Sequence, residues 1–341
     1  MINFPLSKVI IIAELSANHN QKLEIALKTI RAAAEIGVDA IKLQTYTPDT
    51  ITIDCDNEYF RIKHGTIWDG QTLYNLYKHA YTPWEWHEKL FEEAKNCGIM
   101  CFSTPFDLSA VDFLEQFNPP AYKIASFEIF DIPLIEKVAK LGKPVIISTG
   151  LATIEDIELA INACYKYNNH QIALLKCTSS YPAPLEKANL LTIPDMKQRF
   201  NCEVGLSDHT LGITAPVVAV ALGAKIIEKH FILDKSIGGP DSSFSLDKEE
   251  FKLMIKHIRE AEKTLGNISY DLDEKAQQSK KLSRSLFVVK NIKKGETFTT
   301  ENIRSIRPGY GLHPKYYYQI LGKKATKDIS KGTPLSWELI E

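Results

Sequence analysis

The chain has 341 residues, of which 44% are hydrophobic and 24% charged, which is enough to bury a large core. Its net charge of -1 excludes a strong overall attraction to nucleic acids or membrane surfaces. Six cysteines are scattered without paired spacing, and the N-terminal apolar run is too short to cross a bilayer. These features predict a cytoplasmic protein with reduced thiols and with neither nucleic acid nor membrane as a partner.

Eight short apolar runs follow one another along most of the chain, and an amphipathic helical pattern follows each run. Nearly continuous apolar runs are typical of strands that are buried on both faces. Eight alternating strands and helices predict an α/β fold, a closed (β/α)8 TIM barrel, and the lack of a GxGxxG motif after the first run disfavours a doubly wound dinucleotide-binding sheet. The predicted strands cover residues 9–15, 40–46, 98–106, 121–127, 144–150, 172–179, 202–208 and 224–231.

Local signals predict the starts of two helices and one long connection. Thr153 and Asp156 have the spacing of a capping box. Thr82 followed by Pro83 predicts an N-cap with proline in the first helical position. Residues 47–83 are predicted to form a long loop that serves as a lid or a dimer element.

The composition changes near Gly266, and we therefore predict a TIM-barrel catalytic domain over 1–265, a polar linker over 266–283 and a small β-rich domain over 284–341. Two similar segments, NIKKGETF and DISKGTPL, recur within this last domain. It contains eleven lysines and arginines against five acidic residues, which favours the presentation of a cation to an anionic ligand over a merely solvated surface.

Polar residues gather where the predicted strands end, which is where the chemistry of a TIM barrel takes place. Every one of the eight strands contributes, so the sequence predicts one ring-shaped site. The residues, in strand order, are Glu14; Lys42 and Gln44; Ser103 and Thr104; Lys123, Ser126 and Glu128; Ser148 and Thr149; Lys176, Thr178 and Ser179; Ser207, Asp208 and His209; Glu228, Lys229 and His230.

Ser207, Asp208 and His209 are the three residue types of a hydrolytic triad. Side chains alternate along a strand, so Ser207 and His209 share a face and Asp208 points away. Three adjacent residues of an extended chain therefore cannot make the contacts of a triad, and no GxSxG elbow is present.

A metal site is the better interpretation of the histidines. His209 and His230 end neighbouring strands, each two residues after a polar residue of the same face. Two imidazoles in this arrangement are able to hold a divalent cation and leave positions open for water and a substrate oxygen. His19, just after the first strand, is expected at the mouth of the site.

Lys42 and Lys123 lie among hydroxyl side chains, a combination that suits a phosphate or a phosphorylated carboxylate. A Schiff-base lysine is the alternative. The neighbouring hydroxyls and the predicted metal site favour an oxyanion ligand.

Nine motifs in chain order resemble the sialic acid synthase family, and the resemblance covers nearly the whole chain. Members of that family join a phosphoenolpyruvate-condensing barrel to a C-terminal SAF, or antifreeze-like, domain. The motifs are IIAELSANHN, IKLQTYTPDT, FSTPF, YKIASFE, STG, KCTSSYP, GLSDHT, IEKHF and RPGYG.

The resemblance implies a role for each matching position. It implies a divalent metal, Mn2+ with Mg2+ or Co2+ as alternatives, that polarises a sugar aldehyde for attack by phosphoenolpyruvate. It also implies a domain-swapped homodimer in which Arg307 enters the partner subunit's barrel. The implied roles are His209 and His230 as metal ligands; Lys42, Thr104, Lys123, Ser126, Ser148 and Ser207 as the phosphoenolpyruvate pocket; Gln44, Glu128, Ser179, Tyr181 and Arg307 as sugar contacts; and Glu14, Glu228 and Asp241 as catalytic carboxylates.

Departures from the neuraminate-type pattern bear on the sugar. Leu15, Ser16 and Ala17 stand where that pattern reads I-G-x, Phe127 stands in place of a glycine, and Ser179 in place of an asparagine. These variants resemble the pseudaminic acid synthases of the family, whose substrate is the 6-deoxy sugar 2,4-diacetamido-2,4,6-trideoxy-L-altrose. The alternatives are a neuraminate or legionaminate synthase, a 3-deoxy-octulosonate phosphate synthase, which has no SAF domain, and a non-catalytic sugar-binding protein.

Overall fold

The first part of the chain folds into a closed parallel barrel. The computed structural model describes residues 2–63, 65 and 68–341. The chain divides into two compact units, Met1–Gly266 and Asn267–Glu341. In the first unit, eight strands pair in sequence order and the last pairs with the first, which confirms the predicted (β/α)8 barrel. The strands are β1 Ile10–Glu14, β2 Ala40–Thr45, β3 Met100–Pro105, β4 Tyr122–Ile124, β5 Val145–Ser148, β6 Ile172–Cys177, β7 Glu203–Asp208 and β8 Ile226–His230.

Helices connect the strands, and their apolar faces share one core with the outer face of the barrel. Among the described residues, no helix combines the length and the apolar character that crossing a membrane requires. The helices of the first unit are α1 Leu23–Glu35, α2 Pro48–Ile51, α3 Leu73–Ala80, α4 His87–Asn96, α5 Leu108–Glu115, α6 Ile132–Ala139, α7 Ile154–Tyr165, α8 Thr192–Phe200, α9 Thr214–Ala221 and α10 Lys248–Leu265.

The strands bury both faces, and alternate residues enter different cores. Along β1, Ile11 and Ala13 join the outer core, whereas Ile10 and Ile12 join a second core inside the barrel. Just below the carboxyl ends of the strands, the inner core forms one layer with a residue from each strand or its edge. This apolar layer consists of Ile12, Ala40, Phe102, Ala121, Ile146, Leu175, Gly205 and Ile226.

Of the local predictions, one is confirmed and two, the Thr82 cap and the 47–83 loop, are wrong in part. Thr153 and Asp156 form the predicted capping box. Thr82 caps no helix, because its hydroxyl lies 3.2 Å from Nε2 of His19 and the extended Pro83 intervenes before a short 3-10 turn. Described parts of the predicted 47–83 loop form α2 and α3, and the predicted linker contains α11 Glu274–Lys280, which Asp273 caps.

The second unit is built around the recurring segments. Strand β9 (Ser285–Val288) pairs antiparallel with β10 (Ile303–Ile306), and α12 spans Tyr317–Ile320. Ile292 and Ile329, which occupy the same place in the two similar segments, exchange backbone hydrogen bonds of 2.9 and 2.8 Å, and both enter the core of this unit.

Gly205 is the position where the apolar layer tolerates no side chain. A Cβ atom there would lie 2.3 Å from the carbonyl oxygen of Ile226 and 2.6 Å from Cδ2 of Leu175. We expect Gly205→Ala to lower the free energy of unfolding by about 3 kcal/mol or more, since neither the backbone nor the packed leucine is free to move away.

Gly142 supplies the control for this prediction. It has a φ of +67° and open space around its Cα, so Gly142→Ala is expected to cost only the left-handed backbone penalty of about 1–2 kcal/mol. Urea unfolding of both variants measures the difference, and equal losses would contradict the packing argument.

Candidate active site

A ring of polar side chains lies directly above the apolar layer. Because strand side chains alternate, the residue two positions after each member of the apolar layer also points into the barrel. All eight of these residues line one pocket at the carboxyl ends of the strands. This polar ring consists of Glu14, Lys42, Thr104, Lys123, Ser148, Cys177, Ser207 and Glu228.

Two lysines and two glutamates of the polar ring form a buried cluster of opposite charges. The ammonium group of Lys42 makes a close ion pair with Glu14 and lies 3.7 Å from Oε1 of Glu228. Lys123 lies 3.7 Å from the same oxygen of Glu228. All four side chains are almost inaccessible to water, so each charge depends on its neighbours for compensation.

Burial and charge shift the two carboxylates in opposite directions. Burial raises the pKa of Glu14 to about 7, and Lys42 only partly opposes it. Burial also raises the pKa of Glu228, but Lys123 and Lys42 outweigh it, so the net shift is downward. The site therefore combines one carboxyl group that titrates near neutral pH with one that stays ionised.

Hydroxyl groups surround the two lysines. Lys42 donates to Oγ1 of Thr104 at 3.1 Å, and Lys123 donates to Oγ of Ser148 at 2.7 Å. Ser207 donates to Oε1 of Glu228 at 3.2 Å, and Ser126 lines the same pocket. The six residues predicted to form the phosphoenolpyruvate pocket thus lie together, in an arrangement that suits an oxyanion.

The two histidines lie side by side above the polar ring. Strands β7 and β8 are adjacent, and the rings of His209 and His230 lie 5.4 Å apart between centroids. Asp208 instead points away and forms a buried ion pair with Lys229, which also turns away from the pocket. The structure therefore confirms the predicted alternation and excludes a Ser207–His209–Asp208 triad.

The side chains of His209 and His230 fit a divalent cation. Nδ1 of His209 lies 3.0 Å from the carbonyl oxygen of Thr178, which leaves Nε2 available. Nδ1 of His230 is buried and has no hydrogen-bond partner in the described part of the chain. Burial holds the pKa of His230 well below its usual range, which favours the neutral ligand form. No group of three or more potential ligands occurs in the described part of the chain, so the fit is that of a two-histidine site with open positions.

The remaining predicted site residues lie in different parts of the structure, and only some of them line the pocket. Gln44 and Tyr181 line the pocket, and the ring of Tyr181 lies 4.4 Å from that of His209. Asp241 follows β8, with Oδ2 lying 3.9 Å from Nδ1 of His230. Arg307 belongs to the second unit, where it precedes a cis proline.

Glu128 and Ser179 lie in the loops after β4 and β6 and do not line the pocket. Burial raises the pKa of Glu128 to about 7, and its buried Oε2 atom has no hydrogen-bond partner among the residues that the structure describes. Oγ of Ser179 lies 4.0 Å from Sγ of Cys177. Five other polar residues at the strand ends do not line the pocket. The prediction included them because it did not separate the inward from the outward face of each strand. They are Ser103, Thr149, Lys176, Asp208 and Lys229.

Sequence reasoning missed Cys177 and Phe244. Cys177 is the sixth member of the polar ring, and Sγ lies 3.8 Å from Nδ1 of His209. Its position two residues after the apolar Leu175 is the signal that identifies it. Phe244 lies against both histidines, with centroid distances of 6.4 Å to His209 and 5.0 Å to His230, and no motif pointed to it.

The expectation that His19 lies at the mouth of the site is wrong. Its ring is fully buried outside the pocket, between Thr82 and the edge of Trp86. Burial lowers the pKa of His19 to about 4, so its role is that of a neutral core residue.

Comparison with known proteins identifies the family. The model of the NeuB family matches residues 29–270, and that of the SAF domain matches residues 283–341. The chain belongs to the NeuB family. This confirms the resemblance seen in the nine motifs, together with the C-terminal SAF domain.

Two relatives of this NeuB-family chain match it over nearly its full length. The pseudaminic acid synthase of Campylobacter jejuni is 54% identical over 96% of this chain and 95% of its own length. That of Helicobacter pylori is 48% identical, with 97% of each chain covered. A solved structure of an N-acetylneuraminic acid synthetase from Leptospira borgpetersenii has a TM-score of 0.71 at 32% identity, over 82% of this chain and 94% of its own.

The buried histidines predict how the stability of the protein depends on pH. Burial lowers the pKa of His87 to about 4, and Nε2 of His87 lies 2.8 Å from Oγ1 of Thr45. The unfolded chain takes up a proton on this residue below about pH 6.5, whereas the folded chain does not until about pH 4. The free energy of unfolding therefore falls as the pH drops through this window, by about 1.4 kcal/mol per pH unit for each such histidine.

We expect His87→Gln, which keeps a hydrogen-bond partner for Thr45, to make the free energy of unfolding less dependent on pH between pH 6.5 and 4. The slope should fall by the contribution of one histidine, about 1.4 kcal/mol per pH unit. Urea unfolding at several pH values measures it. His19→Gln should remove a similar share, and an unchanged slope in both variants would contradict the burial argument.

Proposed function

We propose that this chain is a pseudaminic acid synthase that condenses phosphoenolpyruvate, water and 2,4-diacetamido-2,4,6-trideoxy-L-altrose to pseudaminic acid and phosphate. The observation that carries the proposal is the complete polar ring below a histidine pair, in a chain 54% identical to such a synthase over nearly its full length. The enzyme class is that of a phosphoenolpyruvate-dependent transferase.

Lys42 and Lys123, with the hydroxyl groups of Thr104, Ser126, Ser148 and Ser207, bind the phosphate and carboxylate of phosphoenolpyruvate. Their ion pairs with Glu14 and Glu228 hold both ammonium groups in place before the ligand arrives. This preorganisation lowers the cost of ordering long side chains on binding.

His209 and His230 would hold a divalent cation, with Mn2+ as the first candidate and Mg2+ or Co2+ as alternatives. Such an ion supplies Lewis-acid polarisation of a carbonyl oxygen. Phe244 excludes water from one side of both rings, and the carbonyl oxygen of Thr178 fixes the orientation of His209.

The sugar lies with its C1 aldehyde between phosphoenolpyruvate and the histidines. C3 of phosphoenolpyruvate attacks C1, positive charge develops at C2, and water adds there. The tetrahedral intermediate then loses phosphate by cleavage of the C–O bond. Glu14 and Glu228 are the carboxylates of the polar ring that can move the protons of the aldehyde oxygen and the water.

The sugar specificity is supported by the identity to pseudaminic acid synthases and by apolar surface at the pocket. Phe106 and Phe127 line it, and a 6-deoxy sugar carries a methyl group where N-acetylmannosamine has a hydroxyl. A neuraminate or legionaminate synthase is the second candidate. Against a neuraminate synthase, the N-acetylneuraminic acid synthetase of Leptospira borgpetersenii is 32% identical to this chain, compared with 54% for the pseudaminic acid synthase of Campylobacter jejuni.

A panel of sugars tests this specificity. With Mn2+ and phosphoenolpyruvate, we expect the kcat/KM for phosphate release to be about 10-fold or more higher with the 6-deoxy diacetamido altrose than with N-acetylmannosamine. The reverse order would transfer the assignment to a neuraminate synthase, and release with no sugar present would contradict a condensation.

In the same assay, His209→Ala is expected to lower kcat/KM by about 100-fold or more, since the polarising ion supplies several kcal/mol. His170→Ala is the matched control, because His170 is exposed and lies before β6, at the opposite end of the barrel. Unchanged activity of His209→Ala would exclude the metal assignment.

We further propose a domain-swapped homodimer in which Arg307 of each chain completes the partner subunit's sugar site. Support comes from the family membership and from the basic character of the SAF domain. A cytoplasmic location accompanies this proposal, in keeping with the substrate phosphoenolpyruvate.

Mixed dimers test the swap. Arg307→Ala and His209→Ala should each be nearly inactive alone. When the two variants are co-expressed or unfolded and refolded together, one site per mixed dimer is intact, so activity should return to about a quarter of the wild-type value. No recovery in verified mixed dimers would show that Arg307 acts within its own chain.

A further inference from the structure

The turn after β1 contains a buried serine in an unusual backbone conformation. Ser16 has a φ of +46° and is only 4% exposed. The left-handed region is unfavourable for residues other than glycine, and serine has little of the tolerance that asparagine and aspartate show there. A side chain retained at such a position therefore needs a compensating interaction.

Ser16 contacts two of the carboxylates assigned to the site. Its hydroxyl donates a short hydrogen bond to Oδ2 of Asp241, and its amide N–H donates to Oε1 of Glu14 at 3.0 Å. Asp241 lies 225 residues further along the chain, in the loop between β8 and α10. Ser16 thus joins the end of the first strand to the loop that follows the last strand.

The side chain of Asp241 depends on this contact for its position. Among the described residues, its other hydrogen bond comes from the amide of Ala17, at 3.3 Å. The backbone of the loop is fixed separately, because Ser245 donates to the carbonyl oxygen of Asp241 at 2.6 Å and accepts from Asn18 at 2.8 Å. Loss of the Ser16 hydroxyl should therefore release the carboxylate and leave the loop in place.

The carboxylate of Asp241 faces His230. Oδ2 lies 3.9 Å from the buried Nδ1 atom of His230, within ion-pair distance but too far for a hydrogen bond, and Nδ1 has no hydrogen-bond partner among the described residues. A carboxylate beside the distal nitrogen of a ligating imidazole fixes its orientation and tautomer, and removal of such a partner typically weakens metal binding by about 10–100-fold.

We propose that Ser16 is a positioning residue that holds the Asp241 carboxylate against His230 and so orients this imidazole toward the divalent cation. The inference rests on the proposed function, since it assigns His230 as a ligand. The left-handed backbone is the cost of bringing the hydroxyl and the amide of one residue onto two carboxylates.

Two variants at this position separate positioning from stability. Both Ser16→Gly and Ser16→Ala remove the hydroxyl, but only glycine relieves the left-handed backbone. We expect the midpoint of thermal unfolding to be roughly 2–4 °C higher for Ser16→Gly than for Ser16→Ala. Despite this difference, both should bind Mn2+ about 10-fold more weakly in calorimetry of the protein with the metal alone.

In phosphate release, both variants should show a kcat lowered about 10-fold, with the KM for phosphoenolpyruvate unchanged. Ser16 makes no hydrogen bond to the lysines and hydroxyls that bind this substrate. Asn201→Gly is the matched control: Asn201 has a φ of +48° at the exposed end of α8, and its replacement should leave Mn2+ affinity and kcat at wild-type values.

A wild-type Mn2+ affinity and kcat in Ser16→Gly would overturn the proposal, because a merely structural serine is replaceable by the residue that its backbone prefers. The proposal would also be overturned if Mn2+ affinity and kcat were higher in Ser16→Gly than in Ser16→Ala, in parallel with the midpoint of thermal unfolding. If the wild-type protein released no phosphate with any sugar, the proposed function would fail, and the calorimetric comparison would still test Ser16.

Discussion

The alternation of side chains in a closed barrel is the constraint on which this site depends. Closure gives every strand an inward face, and the period of two makes each inward residue above the apolar layer a member of one ring. Ile12 and Ile226 therefore belong to the apolar core of the barrel, whereas Glu14 and Glu228, two residues further along the same strands, line the pocket. The fold leaves no freedom in where those side chains meet.

Burial makes this arrangement expensive unless its charges cancel. Two lysines and two glutamates share a space that water hardly reaches, and the close pair of Lys42 with Glu14 is only one part of the compensation. An incoming anion competes with carboxylates for the same ammonium groups. Under the proposed function, substrate binding would exchange one set of buried ion pairs for another, which limits the net change in charge that the low-dielectric site must accommodate.

The sequence predicted the barrel and most of the site because both follow from local periodicity. The eight strands lie within the predicted runs, and twelve of the predicted site residues line the pocket. What it could not predict depends on partners far apart in the chain. The contact of Ser16 with Asp241, the burial of His19 beside Thr82 and the place of Phe244 over the histidines are set by loop packing, which leaves no periodic signal. In the SAF domain, the only sequence signal for the backbone pairing of Ile292 with Ile329 was the recurrence of two similar segments.

The reciprocal bonding of Ile292 and Ile329 has a consequence for the order in which the chain matures. Each isoleucine satisfies the other's backbone groups, so neither recurring segment has a stable partner until both have been synthesised. The barrel, which precedes both segments in the chain, can therefore begin to fold before the second segment has been synthesised, whereas the SAF domain cannot complete this pairing until then.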